Sequence, residues 1–238
     1  MKTLLITGGS RGIGATIVKE FAKNAWRVVF GYNRHEDEAL ALAKETGAIA
    51  IQADLTKKDQ TARFIDEALM QLGHVDALIL NAGTSYRGMF SDMPLENFEE
   101  LFQLHLLSPT QILQGVLPHM RSVDRGSVVF ISSIWGRHAS ALEAAYSAVK
   151  AGQIRLCEAL AKEEGSRNIR FNAICPGPVK TAMMENFTES EMQEIKYACA
   201  LNRLPEVSDI AELAYFLCTE KAGGITGQAI TLDCGFTV

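Results

Sequence analysis

Short apolar runs alternate along the whole chain with longer stretches in which apolar side chains recur at helical spacing. The runs predict seven strands, at residues 3–7, 26–31, 48–52, 76–80, 126–132, 169–174 and 228–232. The amphipathic stretches predict helices at residues 12–24, 36–46, 57–72, 95–120, 145–165, 189–198 and 207–219. Strict alternation of this kind predicts an α/β fold with a doubly wound parallel sheet and helices on both faces.

Composition narrows the class of protein further. The chain has 238 residues, with no Pro/Gly-rich linker and no internal repeat, so we expect one domain over residues 1–238. A net charge of -5 argues against nucleic acid as a partner, and no apolar run reaches the length of a membrane span. The N-terminus leads directly into the first strand, so we expect no signal peptide. Five scattered cysteines fit reduced thiols in a cytoplasmic protein and show no metal-ligand spacing.

A glycine-rich turn follows the first predicted strand and precedes the first predicted helix. Its sequence is Gly8-Gly9-Ser10-Arg11-Gly12-Ile13-Gly14. Gly8 permits a tight turn, Gly12 lets the backbone approach a pyrophosphate, and Gly14 allows close packing. The N-terminus of the helix offers free N–H groups and a positive dipole end to phosphates. This context predicts a Rossmann-type dinucleotide site.

A tyrosine and a lysine, Tyr146 and Lys150, lie four positions apart within a predicted helix and therefore share one face. A phenol titrates near pH ~10 and is a poor acid at neutral pH, but a neighbouring cation lowers its pKa. Ser133 follows the apolar run that ends at Ser132 and lies thirteen positions before Tyr146. A hydroxyl at the tip of a buried strand is placed to donate to a substrate oxygen.

The motifs together resemble the short-chain dehydrogenase/reductase family over essentially the whole chain. They occur in the order and spacing of that family: Thr7-Gly8-x-x-x-Gly12-x-Gly14, Asn81-Ala82-Gly83, Ser133, Tyr146-x-x-x-Lys150 and Pro176-Gly177. The resemblance implies hydride transfer between a nicotinamide and a carbonyl or alcohol carbon. It implies that Ser133 hydrogen-bonds the substrate oxygen and that Tyr146 delivers the proton. Lys150 would lower the pKa of the phenol and hold the nicotinamide ribose.

The same resemblance assigns the cofactor contacts. Pro176-Gly177 would pass beneath the nicotinamide, and Thr181 would meet its carboxamide or the phosphates. Asp54 would lie near the adenine, with a helix cap before Thr56 and Lys57 as a second role. The expected cofactor-binding residues are Gly8, Ser10, Arg11, Gly12, Ile13, Gly14, Tyr32, Asn33, Arg34, Asp54, Leu55, Asn81, Ala82, Gly83, Tyr146, Lys150, Pro176, Gly177, Val179 and Thr181.

The end of the second strand bears on which dinucleotide binds. A carboxylate there would hydrogen-bond the adenosine ribose and repel a 2′-phosphate. The family's acidic position falls on Tyr32, and two cations, Arg34 and Arg11, lie nearby. We therefore predict NADP(H), although Arg34 could instead begin a solvated helix.

Residue 105 departs from the family pattern. The resemblance places an asparagine there, which holds a water that connects the lysine to solvent, whereas this chain has His105. A histidine can both donate and accept, so His105 either preserves a modified proton relay or is a buried helix residue without a catalytic part. Pro109 is expected to bend the same helix.

The substrate stays open among related reductions. The overall resemblance is greatest to the 3-oxoacyl-[acyl-carrier-protein] reductases, through Ile225-Thr226-Gly227-Gln228 and Pro176-Gly177-Pro178-Val179. Those enzymes dock an acidic carrier protein on cations. Arg167 matches one cation position, whereas the other falls on Asp124, beside Arg125. Arg167 is also an ordinary cation for a helix C-terminus.

Two further enzyme hypotheses and one of another class remain. Ile131 to Gly136, with Glu143, resembles a reductase of an aminopentanone group carried by elongation factor P, and Glu143 could pair an ammonium. Glu143 could equally be an exposed loop carboxylate. Other small ketones fit the same chemistry. A non-catalytic NADP(H)-binding sensor is the hypothesis from another class, supported only by His105.

Two expectations concern assembly and closure. The resemblance implies a homotetramer, or a dimer, that pairs the helices near 95–120 and 145–165. Apolar residues on more than one face of these helices support it: Ile112, Leu113, Val116, Leu117, Ile154, Leu156 and Leu160. Residues 180–202, with Met183, Met184, Phe187 and Met192, are expected to form an apolar lid over the substrate.

Overall fold

All seven predicted strands are present and form one sheet. The structure is a computed structural model and describes residues 1–180 and 188–238. The strands are β1 Thr3–Ile6, β2 Arg27–Tyr32, β3 Ile49–Gln52, β4 Ala77–Leu80, β5 Gly126–Ile131, β6 Ile169–Pro176 and β7 Gln228–Leu232. Their order is β3-β2-β1-β4-β5-β6-β7, and every neighbouring pair is parallel. The predicted doubly wound Rossmann-type fold is confirmed.

The helices fall where the periodicity predicts them, with one division. They are α1 Gly12–Lys23, α2 Glu36–Thr46, α3 Lys58–Leu72, α4 Leu95–Phe102, α5 Ser108–Ser122, α6 Ala144–Glu164, α7 Glu189–Ala198 and α8 Val207–Cys218. The helix predicted at 95–120 is divided into α4 and α5 by a π-helical turn, Gln103–Leu107. Pro109 lies in the first turn of α5, directly after this turn. Proline disrupts the regular helical hydrogen bonds before it, which accounts for the division.

Successive side chains along a strand point to opposite faces of the sheet and pack into two separate hydrophobic cores. In β1, Leu5 packs with α3, α5 and α6 on one face. Leu4 and Ile6 pack with α1, α2 and α8 on the other face. All three side chains are completely buried, and each burial contributes roughly 1.5–3 kcal/mol. Burial on both faces explains why the strands read as continuous apolar runs.

The strand order places a crevice at the carboxyl ends of β1 and β4. The chain runs from β1 outward through β2 to β3, and then returns to β4 on the other side of β1. The loops that follow β1 and β4 therefore diverge from each other. In open α/β sheets, this point of divergence is where ligands bind.

The apolar residues of α5 and α6 serve mainly the chain's own core. Ile112, Leu113, Val116, Leu117 and Ile154 are all buried within the single chain. Leu156 and Leu160 are the two that stay partly exposed. The sequence argument for an interface is thus weaker than expected, because one sheet face already covers most of these side chains. The homo-oligomer stays a prediction.

The predicted lid region is described only in part. Thr181, Met183, Met184 and Phe187 lie outside the described residues. Helix α7 begins with a capping box between Thr188 and Glu191, and none of its side chains is buried. No helix in residues 1–180 or 188–238 combines the length and apolar character needed to span a bilayer.

Candidate active site

The glycine loop between β1 and α1 has the backbone that the sequence predicts. Gly8 and Gly12 have positive φ angles of 66° and 54°. A Cβ on Gly14 would lie 2.0 Å from the Gly8 carbonyl oxygen, so only glycine fits there. No side chain caps the start of α1, although Arg11 is its N-cap residue. The first N–H groups of α1 are therefore available to an anion.

Asn81 connects this loop to the end of β4 by side-chain hydrogen bonds. Its side-chain amide donates to the carbonyl oxygens of Thr7, at 3.1 Å, and of Gly8, at 2.8 Å. In return, the hydroxyl of Thr7 accepts from the backbone N–H groups of Asn81 and Ala82, each at 3.0 Å. These reciprocal bonds join the two loops that border the crevice, so that both walls form one rigid unit.

Ser133 and Tyr146 meet at the carboxyl end of β5. Ser133 is buried and begins a 3₁₀ turn, Ile134–Gly136, in which its hydroxyl oxygen accepts from the Trp135 N–H at 3.1 Å. Tyr146 lies in the first turn of α6, with its phenol close enough to the Ser133 hydroxyl for Ser133 to lower its pKa. The two hydroxyls that the sequence singles out thus converge on one point.

Lys150 lies one turn along α6, beneath the phenol. Its Nζ is 5.6 Å from the centroid of the Tyr146 ring. The amine donates to the Ile131 carbonyl at 2.8 Å and to Gln153 Oε1 at 3.2 Å. Burial lowers the pKa of Lys150 to about 7, because the charged form loses its hydration.

The phenol pKa does not shift in the direction that the sequence predicts. Burial is the largest influence and raises the pKa of Tyr146, and the carboxylate of Glu143 raises it further. The nearby Ser133 hydroxyl opposes both effects. The prediction that Lys150 lowers this pKa is corrected here, because desolvation outweighs any neighbouring cation. The phenol therefore keeps its proton at neutral pH.

His105 lies in the π turn with its ring buried against the site. Its Nε2 is 2.8 Å from the Thr84 carbonyl oxygen, which fixes Nε2 as the protonated nitrogen. Its Nδ1 has no hydrogen-bond partner among the described residues. Burial, followed by the nearby Lys150, lowers the pKa of His105 to about 3, so the ring is neutral. The ring packs edge-to-face on Tyr146 with centroids 5.7 Å apart.

Gly83 makes room for that imidazole. A Cβ at position 83 would lie 2.6 Å from His105 Cε1. The family motif Asn81-Ala82-Gly83 thus contributes a packing surface for residue 105 besides its contact with the glycine loop. The structure gives the His105 side chain a packing role beside the phenol and no direct bond to the lysine.

The surface predicted to bind the adenine end of the dinucleotide carries both cations and carboxylates. Arg34 and Asp54 line one open cleft of about 720 Å³, together with Lys57 and residues of α4. One oxygen of Asp54 accepts from the N–H and hydroxyl of Thr56. The predicted helix cap is wrong, because the N-cap residue of α3 is Lys57 and no side chain caps that helix. This cleft lies beyond β2 and β3, away from Ser133 and Tyr146.

Tyr32 holds the position where the resemblance expects an acidic residue. It is buried, and burial followed by the nearby Glu36 carboxylate raises the pKa of its phenol. Asn33, Arg34 and Arg11 are exposed beside it. Glu36, which the sequence indicates only as part of the solvated helix after Arg34, brings a carboxylate close to the position that lacks one.

The remaining predicted residues take varied positions. Pro176 ends β6, and Gly177 donates its N–H to the Leu232 carbonyl at 3.0 Å. Leu55 and Val179 are buried, so their side chains serve the core. Ile13 packs partly exposed against the core on the α1 face, and Ser10 is half-buried in the glycine loop.

One residue of the site escaped the sequence reading. Gln153 is 1% exposed and lies between Lys150 and the π turn. A signal was present, because position 153 is three residues after Lys150 and shares its helix face. Within residues 1–180 and 188–238, no group of three or more His, Cys, Asp or Glu side chains could hold a metal ion.

The comparison with protein families agrees with this geometry. A family model described as enoyl-(acyl carrier protein) reductase matches residues 8–237. The chain belongs to this family, within the short-chain dehydrogenase/reductases, and is an oxidoreductase.

Curated relatives match over nearly the full chain. The uncharacterized oxidoreductase YmfI of Bacillus subtilis is 35% identical over 241 residues, covering 99% of this chain and 98% of the relative. The 3-oxoacyl-[acyl-carrier-protein] reductase FabG of Staphylococcus epidermidis is 33% identical over 239 residues, covering 98% of each.

Solved structures share the fold and hold nicotinamide dinucleotides. A blue fluorescent protein from a metagenomic library, in complex with NADPH, superposes with a TM-score of 0.94 at 31% identity over 100% of this chain and 98% of that one. A 3-ketoacyl-(acyl-carrier-protein) reductase from Brucella melitensis, complexed with NADH, gives 0.92 at 27% identity, with coverage of 100% and 98%.

Proposed function

We propose that this protein is an NADPH-dependent reductase that converts a 3-oxoacyl thioester into the 3-hydroxyacyl form. The observation that carries the proposal is the position of the Tyr146 phenol, whose ring centroid lies 5.6 Å from Lys150 Nζ and which is close enough to Ser133 for that hydroxyl to lower its pKa. Two hydroxyls that meet above a buried lysine form a donor pair for one carbonyl oxygen. The similarity to a 3-oxoacyl-[acyl-carrier-protein] reductase supports the substrate class.

The crevice fits a dinucleotide. The space beside Gly14 is too narrow for any Cβ, and the uncapped start of α1 points its N–H groups toward a pyrophosphate. Gly8, Gly12 and Asn81 would hold this loop around the phosphates. When bound, a reduced nicotinamide supplies the hydride, and the protein supplies position and polarity.

The side chains of the site divide the remaining work. Ser133 donates a hydrogen bond to the carbonyl oxygen and stabilises the negative charge that develops there. Tyr146 gives its proton to the same oxygen as the carbon gains hydride. The Tyr146 phenol is protonated at the start, as reduction requires. Lys150, with a pKa of about 7, is placed to return a proton to the phenol.

The surface near α6 bears on how the thioester is delivered. Arg167 Nη1 lies 3.1 Å from Asp124 Oδ1, and Arg125 pairs with Asp76 at 3.2 Å. The cations that could dock an acidic carrier protein are therefore already paired with carboxylates. We include acyl carrier protein and coenzyme A thioesters as alternative carriers in the experiment.

The experiment is a panel of substrates offered with NADPH. It contains 3-oxoacyl thioesters on acyl carrier protein and on coenzyme A, simple ketones, and amino-ketones, with NADPH oxidation followed by absorbance. The proposal expects the highest kcat/KM for a 3-oxoacyl thioester. Preference for another ketone would reassign the substrate, and tight NADPH binding without any turnover would favour the non-catalytic sensor.

Replacing Arg34 tests the cofactor preference. We expect Arg34→Ala to weaken NADPH binding about tenfold and to leave NADH binding unchanged, since an exposed guanidinium gives a 2′-phosphate a charge-assisted hydrogen bond. Fluorescence titration of both nucleotides measures the two affinities. Arg63→Ala, at an exposed arginine of α3 paired with Glu67, is the control. Equal losses for NADPH and NADH would contradict a role at the 2′-phosphate.

A second candidate substrate is an amino-ketone, and Glu143 favours it. Glu143 is partly buried at the start of α6, three residues before Tyr146. Burial raises the pKa of this carboxyl, while Arg87 opposes the shift. Its charge is close enough to act on the Tyr146 phenol. A carboxylate beside the phenol would pair with an ammonium group on the substrate, whereas a neutral acyl chain would gain no ion pair from it.

Glu143→Gln separates the two substrate classes. We expect this change to lower kcat/KM for an amino-ketone about tenfold or more and to leave the thioester reaction nearly unchanged. The ratio of the two kcat/KM values is the measurement, and it cancels general losses of active protein. A ratio equal to that of the unmodified protein would remove Glu143 from substrate selection.

A further inference from the structure

A buried glutamine connects the lysine of the site to the π turn between α4 and α5. Gln153 Oε1 accepts from Lys150 Nζ at 3.2 Å, and Gln153 Nε2 donates to the His105 carbonyl oxygen at 2.9 Å. Gln153 is 1% exposed and Lys150 is 3% exposed, so neither bond is shared with bulk solvent. An amide buried to this degree is retained only with partners for its polar atoms.

The amide has one chemically consistent orientation. A backbone carbonyl only accepts, so the group that faces His105 O must be the NH₂ of Gln153. The carbonyl of the same side chain then necessarily faces Lys150, where the amine donates. The orientation thus follows from the two partners themselves.

Pro109 explains why the His105 carbonyl is available. In a regular helix, this oxygen would accept from the N–H four residues later, which is residue 109. Proline has no N–H, and the π turn at Gln103–Leu107 places the carbonyl toward α6. The departure from regular helix geometry at this point is therefore used by a side chain of the site.

We propose that Gln153 is a positioning residue of the reduction, because it fixes the amine of Lys150 beneath Tyr146 and ties it to the π turn. The proposal rests on the reductase chemistry proposed above. With Ile131 O and Gln153 Oε1 as its two acceptors, the Lys150 amine has one remaining direction. The third N–H of the charged amine would then be left for the phenol, whose ring centroid is 5.6 Å away, or for a bound ribose.

The charge of the Lys150 amine depends on Gln153, because the titratable groups around the amine are neutral. The titratable groups that face the amine are Tyr146 on its own helix, His105 on the π turn and Cys175 on β6. Burial raises the pKa of Tyr146, lowers that of His105 to about 3 and raises that of Cys175 to about 11. All three groups are therefore neutral near pH 7. Glu143 acts on the Tyr146 phenol and Arg137 on the Cys175 thiol, one group removed from the amine.

The first measurement is steady-state kinetics of Gln153→Met, which keeps the length of the side chain without its polar atoms. We expect kcat to fall about 10- to 100-fold, because a small misplacement of a catalytic group has effects of this size. KM for the ketone should change less than threefold. Gln111→Met is the matched control, since its amide also donates to a backbone carbonyl, that of Lys58, outside the site.

The second measurement needs no substrate. In protein labelled with ¹³C at the lysine ε carbons, the Lys150 signal is identified by its loss in Lys150→Met and then titrated with pH. We expect the Lys150 midpoint to fall in Gln153→Met, which removes an acceptor, and to rise in Gln153→Glu, which adds a negative charge.

The two measurements distinguish every outcome. If the unmodified protein reduces no ketone, the proposed function fails, while the titration still tests Gln153. Opposite shifts in the two variants, with kcat reduced in Gln153→Met, support the positioning role. Any other pattern of Lys150 midpoints in the two variants, or unchanged kcat in Gln153→Met, overturns it.

Discussion

Replacing Tyr146 with phenylalanine is expected to lower kcat for ketone reduction by about 10²- to 10⁴-fold, which is the contribution typical of a positioned general acid. The ring would stay in place against His105, with which it packs at 5.7 Å, and the lost atom is the proton-bearing oxygen. Ser133 would then be the one hydroxyl left at the substrate oxygen. Steady-state NADPH oxidation over a range of substrate concentrations measures the effect.

Nucleotide binding separates loss of chemistry from loss of structure in this variant. NADPH affinity should be retained in Tyr146→Phe, because the glycine loop and Asn81 are not altered. Tyr215→Phe is the matched control, since Tyr215 packs edge-to-face on Phe21 on the α8 side of the sheet. Comparable kcat values for Tyr146→Phe and the unmodified protein would exclude Tyr146 as the acid.

Adding one methyl group at Gly14 should eliminate dinucleotide binding. The Cβ of Gly14→Ala would lie 2.0 Å from the Gly8 carbonyl oxygen and 2.7 Å from Asn81 Nδ2. The loop must move away from β4 to relieve this overlap, and the bond between Asn81 and Gly8 must break. We expect at least about a 100-fold rise in the Kd of NADPH, with a loss of about 1–3 kcal/mol in the free energy of unfolding.

A second glycine provides the control for this change. No atom lies within 4 Å of the Cβ position of Gly224, so Gly224→Ala meets no steric barrier. Calorimetric titration with NADPH and chemical unfolding of both variants give the two quantities. If Gly14→Ala binds NADPH as tightly as Gly224→Ala does, the glycine loop is not the phosphate site.

Much of the fold follows from the sequence for identifiable physical reasons. The inner strands β1 and β4 are buried at every residue, so they read as apolar runs that differ from the periodic pattern of amphipathic helices. The glycine loop can also be predicted from the sequence, because Gly8 and Gly12 have positive φ angles and Gly14 has no room for a side chain. These constraints act locally and leave a direct record in residue type.

The electrostatics of the site could not be read in the same way. Helix spacing places Lys150 beside Tyr146, but the pKa of the phenol depends on how deeply α6 packs against β5 and β6. The observed shift is upward, since burial outweighs the effect of the Ser133 hydroxyl. A tertiary quantity of this kind has no signature in the spacing of two residues.

The role of Gln153 was hidden for a related reason. Its two partners are the side chain of Lys150 and the backbone oxygen of His105, which is 48 positions away in the chain. The sequence shows Pro109 and predicts a bend, but not that the carbonyl released there faces α6. Backbone groups carry no residue-specific signal, so contacts made to them emerge only from coordinates.

The most direct test of the account is a crystal structure of the protein with NADP⁺ and a 3-hydroxyacyl thioester. We expect the 3-hydroxyl oxygen to lie within about 3 Å of both the Ser133 and the Tyr146 hydroxyl oxygens. The pyrophosphate should rest on the loop from Gly8 to Gly14. A thioester whose 3-hydroxyl contacts neither hydroxyl, or a dinucleotide seated away from that loop, would contradict the assignment of the site.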